Sequence, residues 1–245
     1  MTLPPWPYPS WIAHRGAGKL APENTLAAFR LGAQYGYRAF ECDVKLSQDS
    51  VPFLLHDDTL ERTTNGQGDA GSRTWAELST RDAGGWHSRA FAGEPLASFS
   101  AIAAYCLRNH HRLNIEIKPS PGRERETGGV VAREAARLWA TEPVPPLLSS
   151  FKPDALEGAL AEAPALPRAL LVDTLWDGWL ERAQTLACVA VVANYRLFDR
   201  AMVERLHCAG LRALAYTVND EAAVSKLLGF GLDGLITDAV DRFAP

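Results

Sequence analysis

Apolar and polar positions follow two rhythms along this chain. In Ala39–Leu46 and Leu113–Lys118 they alternate with a period of two, the signature of a β-strand with two distinct faces. Further short β-rich runs are Trp11–His14, Val51–His56, Leu147–Ser150, Arg168–Val172, Val189–Asn194, Leu211–Val218 and Gly234–Thr237. Between them, longer stretches space apolar residues three or four apart, as do Leu26, Phe29 and Ala33 in a helix predicted over Asn24–Tyr35. The same spacing predicts helices over Ser98–Asn109, Gly129–Ala140, Pro153–Glu162, Leu175–Thr185, Ala201–Ala209 and Glu221–Leu228.

Strands that alternate with helices imply an α/β fold with a parallel sheet. About eight such units in 245 residues point to a (β/α)₈ TIM barrel forming a single domain over residues 1–245. Nine strand candidates compete for eight places. Only Ser47–Ser50 separates Ala39–Leu46 from Val51–His56, too short for a crossover helix, so these two form a hairpin. A turn centred on Asp49 and Ser50 sets Asp43 opposite His56. Residues 57–95 carry no barrel pattern. They hold Gly66, Gly68, Gly71, Gly84, Gly85 and Gly93 with Trp75, Trp86 and Phe91. Thr74 and Glu77 have capping-box spacing. This segment is expected to be a small, ordered, cap-like insertion after the third strand, beside the site.

Parity then assigns the charged residues to a face. In Leu113–Lys118, the residues Leu113, Ile115 and Ile117 face the outer helices, which sends Asn114, Glu116 and Lys118 into the barrel. In Ala39–Leu46, Phe40, Cys42 and Val44 face out, and Glu41, Asp43 and Lys45 face in. Barrel active sites lie at the C-terminal ends of the strands, where these groups converge. Glu41, Asp43 and Glu116 cannot all ionise in one small space without compensation. Either Lys45, Lys118 and Arg15 neutralise them, or a divalent cation does. Their all-oxygen donor set suits Mg²⁺, Ca²⁺ or Mn²⁺ rather than zinc.

Histidines sharpen the candidate chemistry. His14 and His56 each end a predicted strand, and such a pair around a bound anion makes a general acid and base. His110, His111 and His207 fall at helix ends and are expected at the surface or in caps. His87, in the insertion, is a weaker candidate for substrate contact. Three carboxylates with one divalent cation leave −1, and Arg15 and Lys118 bring the sum to +1, which a singly charged phosphodiester neutralises.

Composition excludes some classes. Net charge is −4, so no general basic field recruits nucleic acid or an anionic membrane. No apolar run reaches the roughly 18–20 residues of a membrane span. Met1–Ser10 has no basic stretch followed by an apolar one, so it does not read as a secretory signal. Cys42, Cys106, Cys188 and Cys208 lack zinc spacing and read as small buried thiols, suiting a reducing compartment. These features predict a cytoplasmic protein with a small-molecule partner. Oligomeric state has no signature in the sequence.

The motifs His14-Arg15-Gly16, Pro22-Glu23-Asn24-Thr25, Glu41-x-Asp43-Val44, His56-Asp57 and Glu116-Ile117-Lys118 together resemble the glycerophosphodiester phosphodiesterase family. The likeness continues through Leu148-Ser149-Ser150-Phe151, Tyr216-Thr217-Val218-Asn219 and Thr237-Asp238, nearly the whole chain. Among subtypes it looks like the short bacterial cytosolic enzyme associated with glycerol-3-phosphate uptake. The resemblance implies a TIM barrel that hydrolyses deacylated phospholipids to sn-glycerol 3-phosphate and an alcohol. It implies a Mg²⁺ or Ca²⁺ ion on Glu41, Asp43 and Glu116, acid/base roles for His14 and His56, and phosphate binding by Arg15 and Lys118. Phe151 and Tyr216 become substrate walls; the family often has Trp at the latter, which bears on alcohol preference. Glu23 either opens the first helix, where the dipole favours an anion, or supports Arg15. Two competing readings use the same residues: a metal-independent glycosidase with Glu41 and Glu116 as its carboxylate pair, and a non-catalytic barrel that binds phosphodiesters.

Overall fold

The computed structural model describes residues 3–243 and 245, so positions 1 and 2 of the Met1–Ser10 segment lie outside the described residues. Eight parallel strands form a closed barrel: β1 (Trp11–Ala13), β2 (Ala39–Leu46), β4 (Arg112–Ile117), β5 (Leu147–Ser150), β6 (Arg168–Val172), β7 (Ala190–Asn194), β8 (Arg212–Tyr216) and β9 (Gly234–Thr237). Pairing of Ala13 with Phe40 closes the ring between β1 and β2. The ninth strand, β3 (Pro52–Leu54), runs antiparallel to β2 as the hairpin requires.

The hairpin register differs by one residue from expectation. Lys45 pairs with Phe53, and the Leu55 N–H donates to the Asp43 carbonyl, so Asp43 lies opposite Leu55. Asp49 is pinned at the crown of the turn: its Oδ1 accepts from the Ser47 hydroxyl at 2.6 Å and the Trp75 N–H at 2.8 Å. The turn therefore centres on Asp49, and His56 falls just beyond β3.

The helices are α1 (Leu26–Gln34), α2 (Trp75–Leu78), α3 (Phe99–Arg108), α4 (Glu124–Leu138), α5 (Pro153–Glu162), α6 (Trp179–Thr185), α7 (Arg200–Cys208) and α8 (Glu221–Phe230). Two starts differ from the periodicity. Helix α4 begins five residues before Gly129, in a polar turn whose residues carry no apolar signal. Gly128 sits inside it because a Cβ there would lie 1.9 Å from the Ala155 carbonyl oxygen of α5. Helix α6 begins later than expected, because Gly178 at φ 84° holds a left-handed conformation just before it.

Strand parity holds throughout β2 and β4. Phe40, Cys42, Val44, Leu113, Ile115 and Ile117 share one buried cluster with Phe29, Phe99 and Ile102 of the surrounding helices. Each such side chain contributes about 1.5–3 kcal/mol on burial. The barrel interior is apolar in its N-terminal half, with Ile12, Leu147, Val192 and Leu214, and Trp6 and Tyr8 pack against that layer. Charged groups occupy the other end. Residues 57–95 have a small core of their own: Leu60, Ala70, Leu78 and Ala83 pack with Phe53 and Leu55 of the hairpin. The Thr74 hydroxyl accepts the Glu77 N–H and Glu77 accepts the Thr74 N–H, a complete capping box.

Cys42, Cys106 and Cys188 are buried as expected, but Cys208 is exposed on the last turn of α7. His111 is not at the surface: it is buried, edge-on to Phe40 at 5.1 Å. Among the described residues no helix is long and apolar enough to cross a membrane.

Candidate active site

Glu41 and Asp43 project inward from β2, and Glu116 projects from the end of β4; each offers an oxygen within 4.8 Å of the others. Burial deprives all three of water, so the neighbours of each decide its charge. Asp43 has the Arg15 Nε at 3.2 Å, the Lys118 Nζ at 3.4 Å and the Asn24 side-chain amide at 2.8 Å. Burial alone would raise its carboxyl, but the two cations and the amide win and hold it well below the usual range. Among the described residues the Glu41 carboxylate receives only the Arg15 backbone N–H, at 3.0 Å. Burial and the neighbouring Asp43 and Glu116 push its carboxyl well above the usual range. Burial and Asp43 push Glu116 up to about 7, even though Lys118 Nζ donates to it at 2.9 Å.

Two of the three carboxylates are therefore undercompensated by the protein's own cations. Lys45, a candidate neutraliser from the sequence, is fully buried and committed elsewhere: its ammonium donates to Asp58 at 2.6 Å. Asp43 Oδ1 is buried and accepts no hydrogen bond among the described residues. An all-oxygen, buried, electron-rich triad fits a hard divalent cation.

The loop after β1 builds the other wall. Arg15 has φ 51° and Gly18 φ 56°, and a Cβ on Gly18 would fall 2.1 Å from the Asp238 carbonyl oxygen. This tight turn brings His14 against Asp238, which follows β9. His14 Nδ1 donates to Asp238 Oδ1 at 2.6 Å, leaving Nε2 toward Glu41 Oε2 at 3.8 Å. Asp238 is steadied by Asn219, whose amide donates to Oδ2 at 3.0 Å. His56 is held the same way: Nδ1 donates to Asp57 at 2.6 Å. Burial lowers the His56 pKa, with Arg15 and Lys118 adding to the effect and Asp43 opposing it.

Glu23 supports Arg15 rather than the helix. Its Oε1 accepts from Arg15 Nη1 at 2.8 Å, while α1 is capped by Thr25 and its Ala27 N–H donates to Glu94 of the insertion. Asn24, at φ 61°, binds Asp43 twice, donating to Oδ2 and accepting the Asp43 N–H at 3.1 Å.

These groups surround a cavity of about 230 Å³ lined by His14, Arg15, Glu41, His56, Glu116 and Lys118. Phe151 and Tyr216 form its aromatic side, edge to face at 5.7 Å, and Lys118 Nζ lies 5.9 Å from the Phe151 ring centre. Ten of the residues singled out from the sequence gather here: nine line the cavity or the triad beneath it, and Glu23 braces Arg15 from behind. His87 does not: its ring faces the Lys19 carbonyl at 3.0 Å. Sequence reasoning gave no role to Asp238, Asn24 or Asn219. All three lie within noticed motifs, and the left-handed backbone that Asn tolerates is the available signal at position 24.

Comparison with known proteins agrees with this geometry. The model of the glycerophosphoryl diester phosphodiesterase family matches residues 14–242. The Bacillus subtilis protein YhdW is 34% identical over 241 residues, covering 94% of each chain. A glycerophosphodiester phosphodiesterase of Caldanaerobacter subterraneus is 31% identical over 232 residues, covering 93% of each. A phosphodiesterase of Oleispira antarctica, solved in complex with the product sn-glycerol-3-phosphate, superposes with a TM-score of 0.89 at 35% identity, covering 96% of this chain and 95% of that one. The chain belongs to the glycerophosphoryl diester phosphodiesterase family and is an enzyme of that type.

Proposed function

We propose that this enzyme hydrolyses glycerophosphodiesters such as glycerophosphocholine and glycerophosphoethanolamine to sn-glycerol 3-phosphate and the free alcohol. One observation carries the reading. Two histidines, each tied through Nδ1 to a carboxylate, face one cavity that also holds Arg15, Lys118 and a buried tricarboxylate cluster. A binding protein has no use for a paired acid and base.

Glu41, Asp43 and Glu116 would hold one Mg²⁺ or Ca²⁺. When bound, such an ion supplies Lewis-acid polarisation of a phosphoryl oxygen. Arg15 and Lys118 bind the phosphate, and the side chain of each is mostly buried, which strengthens its pull on an anion. His14 and His56 move protons at Nε2. One imidazole takes the proton of the attacking hydroxyl, from water or the glycerol itself. The other protonates the alkoxide as its P–O bond breaks; where the glycerol hydroxyl attacks, water then opens the resulting cyclic phosphate to sn-glycerol 3-phosphate. Phe151 and Tyr216 are flat walls for the substrate. We read the barrel and residues 57–95 as one domain, the latter a cap beside the site. The free cysteines suit a cytoplasmic location.

The test is turnover of glycerophosphocholine and glycerophosphoethanolamine with EDTA, followed by add-back of individual metals. Activity lost in EDTA and restored by Mg²⁺ or Ca²⁺ is expected. Full activity on a glycoside in EDTA would instead support a glycosidase, and substrate bound without turnover in millimolar metal a mere binder.

A further inference from the structure

Arg62 lies in the insertion and lines neither the cavity nor the triad. Its guanidinium nevertheless grips two site carboxylates at once. Nε donates to Asp57 Oδ2 at 2.5 Å and Nη2 to Asp57 Oδ1 at 2.9 Å. Nη1 donates to Glu23 Oε2 at 2.9 Å and Nη2 to Glu23 Oε1 at 2.8 Å. Four donor contacts thus form two forks, one on each carboxylate. The shared atoms matter most. Asp57 Oδ1 also accepts from His56 Nδ1, and Glu23 Oε1 also accepts from Arg15 Nη1. A continuous chain therefore runs His56–Asp57–Arg62–Glu23–Arg15, and Nη2 of Arg62 is its midpoint.

We propose that Arg62 is a positioning residue that sets the acid/base histidine and the phosphate-binding arginine against each other from outside the site. His56 stands just past β3, and Arg15 stands in the left-handed turn after β1. Neither is held by a strand ladder at its side chain, and the insertion's guanidinium bridges the carboxylate partners of both. Leu60, Thr63 and Thr64 around Arg62 are buried, so its backbone is anchored even though its side chain is about half exposed. Lysine cannot replace it, because an ammonium is a point donor without two planar edges.

The proposal rests on His56 and Arg15 acting as described under Proposed function. If His56→Ala turns over normally, that reading fails. If His56→Ala is inactive while Arg62 variants are unimpaired, only the clamp fails.

The test compares Arg62→Met and Arg62→Lys with wild type in the full chain, using glycerophosphocholine and Mg²⁺. Arg62→Met should lower kcat about 10- to 100-fold, since small misplacements of catalytic groups cost that much. It should also raise KM through the loosened Arg15. The groups facing His56 are Asp57 at Nδ1 and, from the barrel, Asp43, Arg15 and Lys118. Losing the Arg62 cation leaves Asp57 to stabilise the imidazolium, so the limb of kcat/KM that His56 sets, acidic if it is the base and basic if it is the acid, should move to higher pH. Tm should shift by no more than about 4 °C, because partly exposed ion pairs contribute little to stability. Arg62→Lys should recover less than a tenth of wild-type kcat. The proposal is overturned if Arg62→Met keeps wild-type kinetics and pH profile, if only Tm falls, or if Arg62→Lys works like wild type.

Discussion

Glu116 offers a sharp test of how the site is charged. Replacing it with Gln should inactivate the enzyme yet stabilise the metal-free protein at alkaline pH. Burial and Asp43 push the Glu116 carboxyl up to about 7, against an ordinary 4.5. Below pH 4.5 the group is protonated in both the folded and unfolded chain and makes no difference. As pH rises from 4.5 to about 7, the unfolded chain releases the proton and the folded one retains it. Folding stability therefore falls across that window, and the loss is complete above it. The gap corresponds to about 3 kcal/mol. Gln removes the loss but also the negative charge on the acceptor of the 2.9 Å Lys118 contact, and Lys118 keeps the Asp43 carboxylate at 3.4 Å. The net gain should be about 1–3 kcal/mol at pH 8, or a rise of about 3–10 °C in Tm. The assay is thermal unfolding in EDTA at pH 5 and pH 8. The advantage of Glu116→Gln should shrink or vanish at pH 5. Millimolar Mg²⁺ should raise the Tm of wild type more than that of the variant. A variant less stable than wild type at pH 8 in EDTA would refute the reasoning, because Glu116 would then be adequately compensated by the protein itself.

Asp238→Asn should lower kcat about 10- to 100-fold, with KM little changed. Asp238 does not line the cavity and acts by holding the His14 ring; an unchanged kcat would remove it from that role. Asn24→Ala should cost about 2–4 kcal/mol in denaturant unfolding. It strips both hydrogen bonds from the buried Asp43 and puts Ala at a positive φ. A loss below about 1 kcal/mol would mean that neighbouring groups or water replace the amide.

Much of this site was legible because charges in β2 and β4 interrupt apolar strands with a strict period of two. Glu41, Asp43, Glu116 and Lys118 could be placed inside the barrel from that alternation alone, and the apolar partners in the helix-facing cluster agree. What escaped prediction depended on closure and on local turn chemistry. His14 meets Asp238 across 224 residues, because β9 returns beside β1 only when the ring closes. No local spacing reports that contact. The hairpin register depended on Asp49 binding Ser47 and Trp75, the latter 26 residues away. His56 still reaches the site, but from the bend after β3 and not as a cross-strand neighbour of Asp43. Glu23 read more readily as a helix-start anion, and only the fold revealed that Glu94 takes the Ala27 N–H. Its own carboxylate was thereby free to brace Arg15.

Catalysis by paired histidines stands or falls most directly on His56. The decisive measurement is kcat for release of sn-glycerol 3-phosphate from glycerophosphocholine, at saturating substrate and Mg²⁺, by wild type and His56→Ala. The variant should lose about 10²–10⁴-fold in kcat. Its Tm should stay within a few degrees of wild type, because the ring is partly exposed and leaves no buried apolar gap. Near-normal turnover by a folded His56→Ala would contradict this mechanism, since proton transfer in the cavity would then run without the group placed to perform it.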